Sequence, residues 1–398
     1  ARRLQGDESN NTCSCLRRLG KMAEGSEALE GVTFRSGFHL AGDYRGHRST
    51  VRDCMFNPSV GMFASLDEKC IKVWKPSGAE VATLNFPPGQ PLFVGSLIYV
   101  PSLDCYMAAA LDATLKIYDS QMNLLSSLGW RQGAVLAMAY NPRTDVLITG
   151  GRDGVKLWKA FVDVDYYNSA IAESDEHGNP PLNRPVNYAG QPAWKLGAYT
   201  NVRLEKEIHI PEVNSSNIWA NNISLHEDAE YLFVTIGNSV QVFDVSDEGG
   251  MGKPVWKWSD IHKLPITDHC FIPHRRLFIT AAHDCTVKVS DIKLTGQLRL
   301  KGNLGMHAKR VTCLALHPIS MGSVLTGTLD GTVTLWSLDT LEPLYQLKSQ
   351  NPVMGLSVIN KNFLFVRTEY TIKFIRLVHL HSTFARYSSP VQSLEVLA

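Results

Sequence analysis

Val311-Thr-Cys-Leu-Ala-Leu-His-Pro318 and, twelve residues further on, Asp330-Gly-Thr-Val-Thr-Leu-Trp336 carry the pattern that decides the fold. The first piece is a short alternating run that stops at a proline seven positions after its opening apolar residue, which reads as a strand ending at a turn. The second leaves an acidic turn residue and closes an apolar strand on a bulky ring. The strand-to-proline piece recurs at Val51 to Pro58, Val94 to Pro101, Val135 to Pro142 and Ile266 to Pro273. Five places after each opening residue stands a large apolar or aromatic side chain: Phe56, Tyr99, Tyr140, Phe271 and Leu316. Looser copies open at Ala220 and Val353, where Glu227 and Asn360 replace the proline, so that seven copies result.

The second piece recurs as Asp112-Ala-Thr-Leu-Lys-Ile-Tyr118 and Asp284-Cys-Thr-Val-Lys-Val-Ser290. Asp67 reaches Trp74 with one extra residue and Asp153 reaches Trp158 with one fewer, which predicts a local bulge in those two copies. Counted from Val51 to Val94, Val135, Ala220, Ile266, Val311 and Val353, the intervals are 43, 41, 85, 46, 45 and 42 residues. The long interval does not hide an eighth copy. Residues 161–202 show no second strand-proline-strand pattern and run through Asp-Val-Asp-Tyr-Tyr-Asn and Glu-Ser-Asp-Glu-His-Gly-Asn-Pro-Pro, the composition of a loop insertion. Arg203 to Pro211 resumes as an outer strand. A unit of some 40 residues cannot bury both faces of its own sheet, so the copies must stack on one another.

These residues resemble the WD40 repeat family. Gly46-His47 stands four residues before the first strand, His262 and His307 take the same place without the glycine, and Phe243-Asp244 and Ser290-Asp291 stand where the family has Trp-Asp. The resemblance covers roughly residues 38–390 and implies an all-β, seven-bladed β-propeller, each blade a four-stranded antiparallel sheet around a central channel. The expected layout is an irregular arm over 1–30, the propeller over 31–388 and, at 389–398, the opening of a further repeat, since Val391, Leu394 and Val396 fall in phase. Ring closure in such propellers usually borrows an amino-terminal strand. Gly37 to Gly46 is placed where it could supply the outer strand of the blade begun at Val353.

Composition limits the function classes. With 39 Lys+Arg against 38 Asp+Glu the formal net charge is +1, which argues against a phosphate-reading surface; Arg2-Arg3 and Arg17-Arg18 are short runs in a tail. Val81 to Leu103 is uncharged, but Pro87, Pro88, Gly89, Pro91, Gly95 and Pro101 would break a spanning helix. No apolar signal core opens the chain. Eight cysteines in 398 residues are too sparse for a disulfide scaffold and fit buried thiols in a reducing, cytoplasmic setting.

Candidate site residues fall in two groups. His47, Asp67, Trp74, Asp112, Asp153, Trp158, Asp284, His307, Asp330 and Trp336 invite an acid-base reading, but nothing supplies a positioned nucleophile. In the family, such residues form a hydrogen-bonded network inside a blade, and the resemblance implies that role here. His269, Cys270, His274, His283 and Cys285 lie close in sequence, yet on strands they face different ways or stand roughly 15–20 Å apart, too far for shared ligation. Cys13-Ser-Cys15 lacks a histidine partner, and Asp163-Val-Asp165 with Ser174-Asp-Glu176 lacks the ligand spacing of a calcium loop. No phosphate cradle or nucleophile elbow occurs, so no metal, cofactor or enzyme motif is expected. The second group is the insertion's aromatics, Tyr166, Tyr167, Tyr188, Trp194 and Tyr199, which a loop cannot all bury in its own core and which suit a partner-binding surface.

Leu97 to Tyr118 and Ala139 to Trp158 look like the second and third repeats of large tandem-propeller WD-repeat proteins of cilia and flagella. That resemblance implies a non-catalytic scaffold of the axoneme, docking radial-spoke, dynein-associated or tubulin components within a large hetero-complex, with no nucleic acid or membrane partner. A general cytoplasmic adaptor, such as a ubiquitin-ligase substrate receptor or a coat subunit, is the alternative. A propeller enzyme with a channel site is a more distant one.

Overall fold

The computed structural model describes residues 37–57, 60–86, 94–110, 114–129, 133–162, 200–210, 219–226, 230–246, 252–317, 322–360, 363–378 and 393–395. Among them the chain forms strand after strand, and no helix is long and apolar enough to cross a membrane. β1 (Gly37–Arg45) comes first and pairs with none of its sequence neighbours. Blade one is β2 (Asp53–Asn57), β3 (Met62–Leu66), β4 (Cys70–Trp74) and β5 (Glu80–Asn85). Blade two is β6 (Val94–Val100), β7 (Cys105–Ala110), β8 (Thr114–Tyr118) and β9 (Leu124–Gly129). Blade three is β10 (Val135–Asn141), β11 (Val146–Gly151), β12 (Gly154–Val162) and β13 (Thr200–Ile208). Blade four is β14 (Ala220–His226), β15 (Tyr231–Ile236), β16 (Ser239–Asp244) and β17 (Lys253–Trp258). Blade five is β18 (Ile266–Ile272), β19 (Leu277–Ala282), β20 (Val287–Ile292) and β21 (Leu298–Asn303). Blade six is β22 (Val311–Leu316), β23 (Ser323–Thr328), β24 (Thr332–Ser337) and β25 (Pro343–Lys348), with β29 (Ser393–Glu395) added outside. Blade seven is β26 (Val353–Asn360), β27 (Phe363–Thr368) and β28 (Thr371–Val378), completed by β1. The architecture is the expected seven-bladed propeller.

The chain divides into two compact units, one holding blades five, six, seven and one, the other blades two, three and four. Within each unit, apolar clusters sit between consecutive blades. In the first, Leu277, Ile279 and Val289 of blade five meet Val311, Leu314 and Trp336 of blade six, and Leu325, Val333 and Leu335 of blade six meet Val353, Leu364 and Ile375 of blade seven. In the second, Met107 and Ile117 of blade two meet Leu147 and Trp158 of blade three, whose Ile148 and Leu157 meet Leu232 and Val234 of blade four. A strand covered on both faces needs apolar or small residues at every position rather than at alternate ones. β11, β19 and β23 are accordingly buried throughout.

β1 makes blade seven continuous with the start of the chain. It pairs antiparallel with β28 from Gly37↔Val378 to Arg45↔Thr371. At its far end Tyr44 is buried, packing edge-on against Phe63 at 4.6 Å and near Trp74 of blade one and Phe374 of blade seven. Its hydroxyl donates to the Pro76 carbonyl at 2.8 Å, which satisfies the one polar atom that burial would orphan.

Two expectations are corrected. The hairpins of blades one and three are not bulged: β3–β4 and β11–β12 pair without a register shift, and the turns absorb the difference, Asp67–Lys69 against Arg152–Asp153. The irregularities recur instead one strand further out, beside Tyr118, Trp158, Phe243, Ser290 and Trp336, where the third strand meets the outer one. The insertion is also shorter than 161–202, because Phe161↔Asn201 and Val162↔Thr200 extend the β12–β13 ladder into it. Of the expected restart at 389–398, Ser393–Glu395 is described, pairing in parallel with β25.

Blade stacking leaves little room at the seams. A Cβ at Gly327 would lie 2.5 Å from Cys313 Sγ and 2.6 Å from Val353 Cγ1. Gly327→Ala should therefore destabilise by about 1–3 kcal/mol, the usual range for an overpacked core. A denaturant midpoint equal to that of the unaltered chain would contradict this packing of blades six and seven.

Candidate functional site

In blade one, three of the network residues meet a fourth that sequence reasoning missed. Gly46, at φ +145, turns the chain so that His47 enters the blade, and Asp67 begins the turn after β3. His47 Nδ1 lies 2.9 Å from Asp67 Oδ2, and its Nε2 lies 2.6 Å from Ser65 Oγ. Trp74 Nε1 donates to the same Ser65 oxygen at 2.7 Å. The carboxylate can only accept, so the Nδ1 proton points to it, and in the neutral ring Nε2 is left to accept the serine hydroxyl. The proton-donating order then runs Trp74, Ser65, His47, Asp67, with every donor and acceptor matched. Asp67 Oδ1 also accepts the backbone amides of Lys69 and Cys70 at 2.6 and 2.7 Å. Burial acts to raise its pKa, but the His47 bond and the two amides outweigh burial and hold the carboxyl well below the usual carboxylate range.

The connectivity of Ser65, His47 and Asp67 is that of a hydrolytic triad, and the comparison shows why it does no such chemistry. The Ser65 and Asp67 residues are 0% and 1% exposed, and the His47 side chain is 0% exposed, so no substrate reaches the hydroxyl. The serine oxygen is already occupied by the indole N–H. Among the described residues His47, Asp67 and Cys70 are also the one close group of metal-ligating side chains, with ligand atoms within 4.8 Å of one another. They do not fit a metal: both imidazole nitrogens and both carboxylate oxygens are engaged, and burial pushes the Cys70 thiol up to about 12, so no thiolate is offered.

The other blades carry reduced versions. Trp158 Nε1 donates to Thr149 Oγ1 at 3.0 Å and Trp336 Nε1 to Thr326 Oγ1 at 2.9 Å. Asp153 accepts the Gly133 amide at 2.5 Å, Asp284 takes the Thr286 amide and hydroxyl, and Asp330 takes the Thr328 hydroxyl and the Thr332 amide. His307 lies edge-on to Trp336 at 5.3 Å, but its buried Nε2 has no hydrogen-bond partner, so blade six lacks the His-to-Asp link. Asp112 lies outside the described residues, as do Tyr166, Tyr167, Tyr188, Trp194 and Tyr199. The signal for the missed residue was a serine or threonine nine or ten positions before the tryptophan: Ser65, Thr149 and Thr326.

A second missed feature is Arg367. At the position paired with the third residue of the inner strand, blades two, three, four and six have Ala109, Gly150, Thr235 and Gly327. Blade seven has Arg367 opposite Gly355, and a Cβ on that glycine would collide with the guanidinium. Its Nε and Nη1 are buried without hydrogen-bond partners, and Nη1 lies 3.9 Å from Asp53 of blade one. A charged side chain thus takes the place of a small one at the seam that β1 closes.

Two measurements test this geometry. Ser65→Ala removes one oxygen and orphans two buried groups, at about 1–3 kcal/mol each, whereas Ser65→Thr, the residue of blades three and six, should be close to neutral. Equal thermal midpoints for the two variants would refute the network. Separately, burial lowers His269 and His307 to about 4 in the fold, the latter against the pull of Asp330, from about 6.5 in an unfolded chain. Their neutral forms stabilise the fold fully above pH 6.5, and that share is lost as pH falls towards 4. The midpoint of a His269→Gln/His307→Gln variant should fall less between pH 7 and 4.5 than that of the unaltered chain; an equal fall would refute the assignment.

A family model described as "WD domain, G-beta repeat" matches residues 39–75, 252–291 and 298–337. Each match begins on an outer strand, β1, β17 or β21, and runs through the first three strands of the following blade. The repeat in sequence is therefore staggered by one strand from the blade in space. A curated relative, the transcriptional corepressor LEUNIG_HOMOLOG of Arabidopsis thaliana, is 22% identical over 117 residues, which is 29% of this chain and 15% of that protein's length.

Proposed function

We propose that this WD40-repeat propeller is a non-catalytic scaffold that docks other proteins, and that it does so within a large hetero-complex of the ciliary or flagellar axoneme. One observation carries the first part. The arrangement closest to a catalytic one, Ser65, His47 and Asp67, is sealed inside blade one with every partner internal. What the blades offer outward is loops and strand edges, the surfaces of a docking platform. The axonemal part rests on the likeness of Leu97 to Tyr118 and Ala139 to Trp158 to repeats of ciliary tandem-propeller proteins. Radial-spoke, dynein-associated or tubulin components are the partners in view. The insertion carried at the tip of β12–β13 supplies the aromatic anchors, Tyr166, Tyr167, Tyr188, Trp194 and Tyr199.

A second reading follows from the similarity to a transcriptional corepressor, which favours an adaptor in a gene-regulatory complex over an axonemal one. Purification of the tagged chain from ciliated cells separates them. Axonemal components should co-purify, and deletion of 163–199 or Trp194→Ala should reduce their recovery several-fold while leaving the thermal midpoint unchanged. Recovery of nuclear regulators without axonemal proteins would overturn the axonemal reading in favour of the second.

A further inference from the structure

Blade six differs from the other six in carrying a fifth strand among the described residues. β29 lies along the outer edge of β25 in parallel, with Gln346↔Ser393, Leu347↔Leu394 and Lys348↔Glu395 in register. The outer strand of a blade presents a row of unpaired backbone groups, which is a template for another strand. On β25 only part of that row is usable. Pro343 has no amide proton, and the ladder to β24 is irregular between Trp336↔Pro343 and Leu335↔Tyr345. From Leu335↔Tyr345 to Thr332↔Lys348 the ladder is regular. The described residues of the added strand lie within that regular stretch.

The register also sets Glu395 beside Lys348, the one charged residue of β25. A parallel ladder of three residues is a weak contact, since parallel pairing is slightly less stable per residue than antiparallel pairing.

We infer that the outer edge of blade six is a strand-docking site, that Ser393-Leu-Glu395 fills it from within the chain, and that an extended partner peptide binds there only by displacing those residues. The inference deepens the scaffold reading, on which it rests, by assigning one docking surface and its chemistry: an extended strand with an apolar residue followed by an acidic one, added by backbone pairing.

Two experiments on the full chain test it. Neighbouring strands stand about 4.8 Å apart, within the Cα separation a disulfide accepts. Under mild oxidation Gln346→Cys/Ser393→Cys should form an intramolecular cross-link at least ten-fold more than the out-of-register pair Gln346→Cys/Glu395→Cys. Equal cross-linking of the two pairs, or a cross-linked dimer, would overturn occupancy from within the chain. For docking, the probe is a labelled peptide with the sequence of residues 389–398. It should bind the Ser393→Pro/Leu394→Pro chain at least ten-fold more tightly than the unaltered chain, and should not bind the oxidised Gln346→Cys/Ser393→Cys chain until it is reduced. Equal binding to all forms, or binding to none, would overturn the docking site. Neither readout involves axonemal or nuclear proteins, so failure here and failure of the scaffold reading are separate results.

Discussion

No blade of this protein can bury its own two faces. The middle strands β11, β19 and β23 have no exposed face, and each apolar cluster takes residues from two consecutive blades. Burial of apolar area is the main favourable term in folding, so the stability of a blade is a property of its neighbours as much as of its own sheet. The last blade therefore raises a problem that the first strand solves. The sequence repeat begins one strand before the blade, so among the described residues β1 pairs with no strand of blade one, and β28 finds its outer partner in β1. Each supplies what the other lacks, and Tyr44 carries the join into the aromatic cluster of Phe63, Trp74 and Phe374.

The polar interior follows from the same burial. A tryptophan in a third strand brings an indole N–H into a place without water, where an unpaired donor costs about 1–3 kcal/mol. Ser65, Thr149 and Thr326 each meet that need in their own blade. Blade one goes furthest, passing the hydrogen bond through His47 to Asp67 and on to the turn amides. That chain ties the segment before the blade to the turn inside it. A connectivity that would make a nucleophile at a surface makes a rigid core here, and the difference is access, not geometry.

The fold was legible because its determinants are local and repeated: a strand that stops at proline, an acidic turn, a strand that ends on a ring. Seven weak signals in phase make one strong one. Local pattern could place Gly37 to Gly46 but not assign its register on β28, which joins residues more than 300 positions apart and shows only in space. Ser65 was hidden for another reason, since a serine in a strand is unremarked until the tryptophan beside it is placed. The bulges expected at the hairpins of blades one and three are absent: turn length was read as strand distortion, whereas a hairpin turn changes length without disturbing the ladder behind it; blade three is irregular one strand further out, beside Trp158. Arg367 left a trace, a large charged residue where blades two, three, four and six have Ala, Gly, Thr and Gly, yet the trace is visible only after the register aligns the positions. The outward-facing chemistry was least legible, because partner-binding loops need not repeat.

The central claim is that β1, the first strand of the described residues, completes blade seven and so makes its third strand an interior one. Native-state hydrogen exchange of the β28 amides, Thr371–Val378, tests it most directly. If β1 closes blade seven, these amides exchange as slowly as those of β27, in one cooperative unit. If instead β28 exchanges as fast as the outer strands β9 and β21, then β1 does not close the blade and the account is wrong.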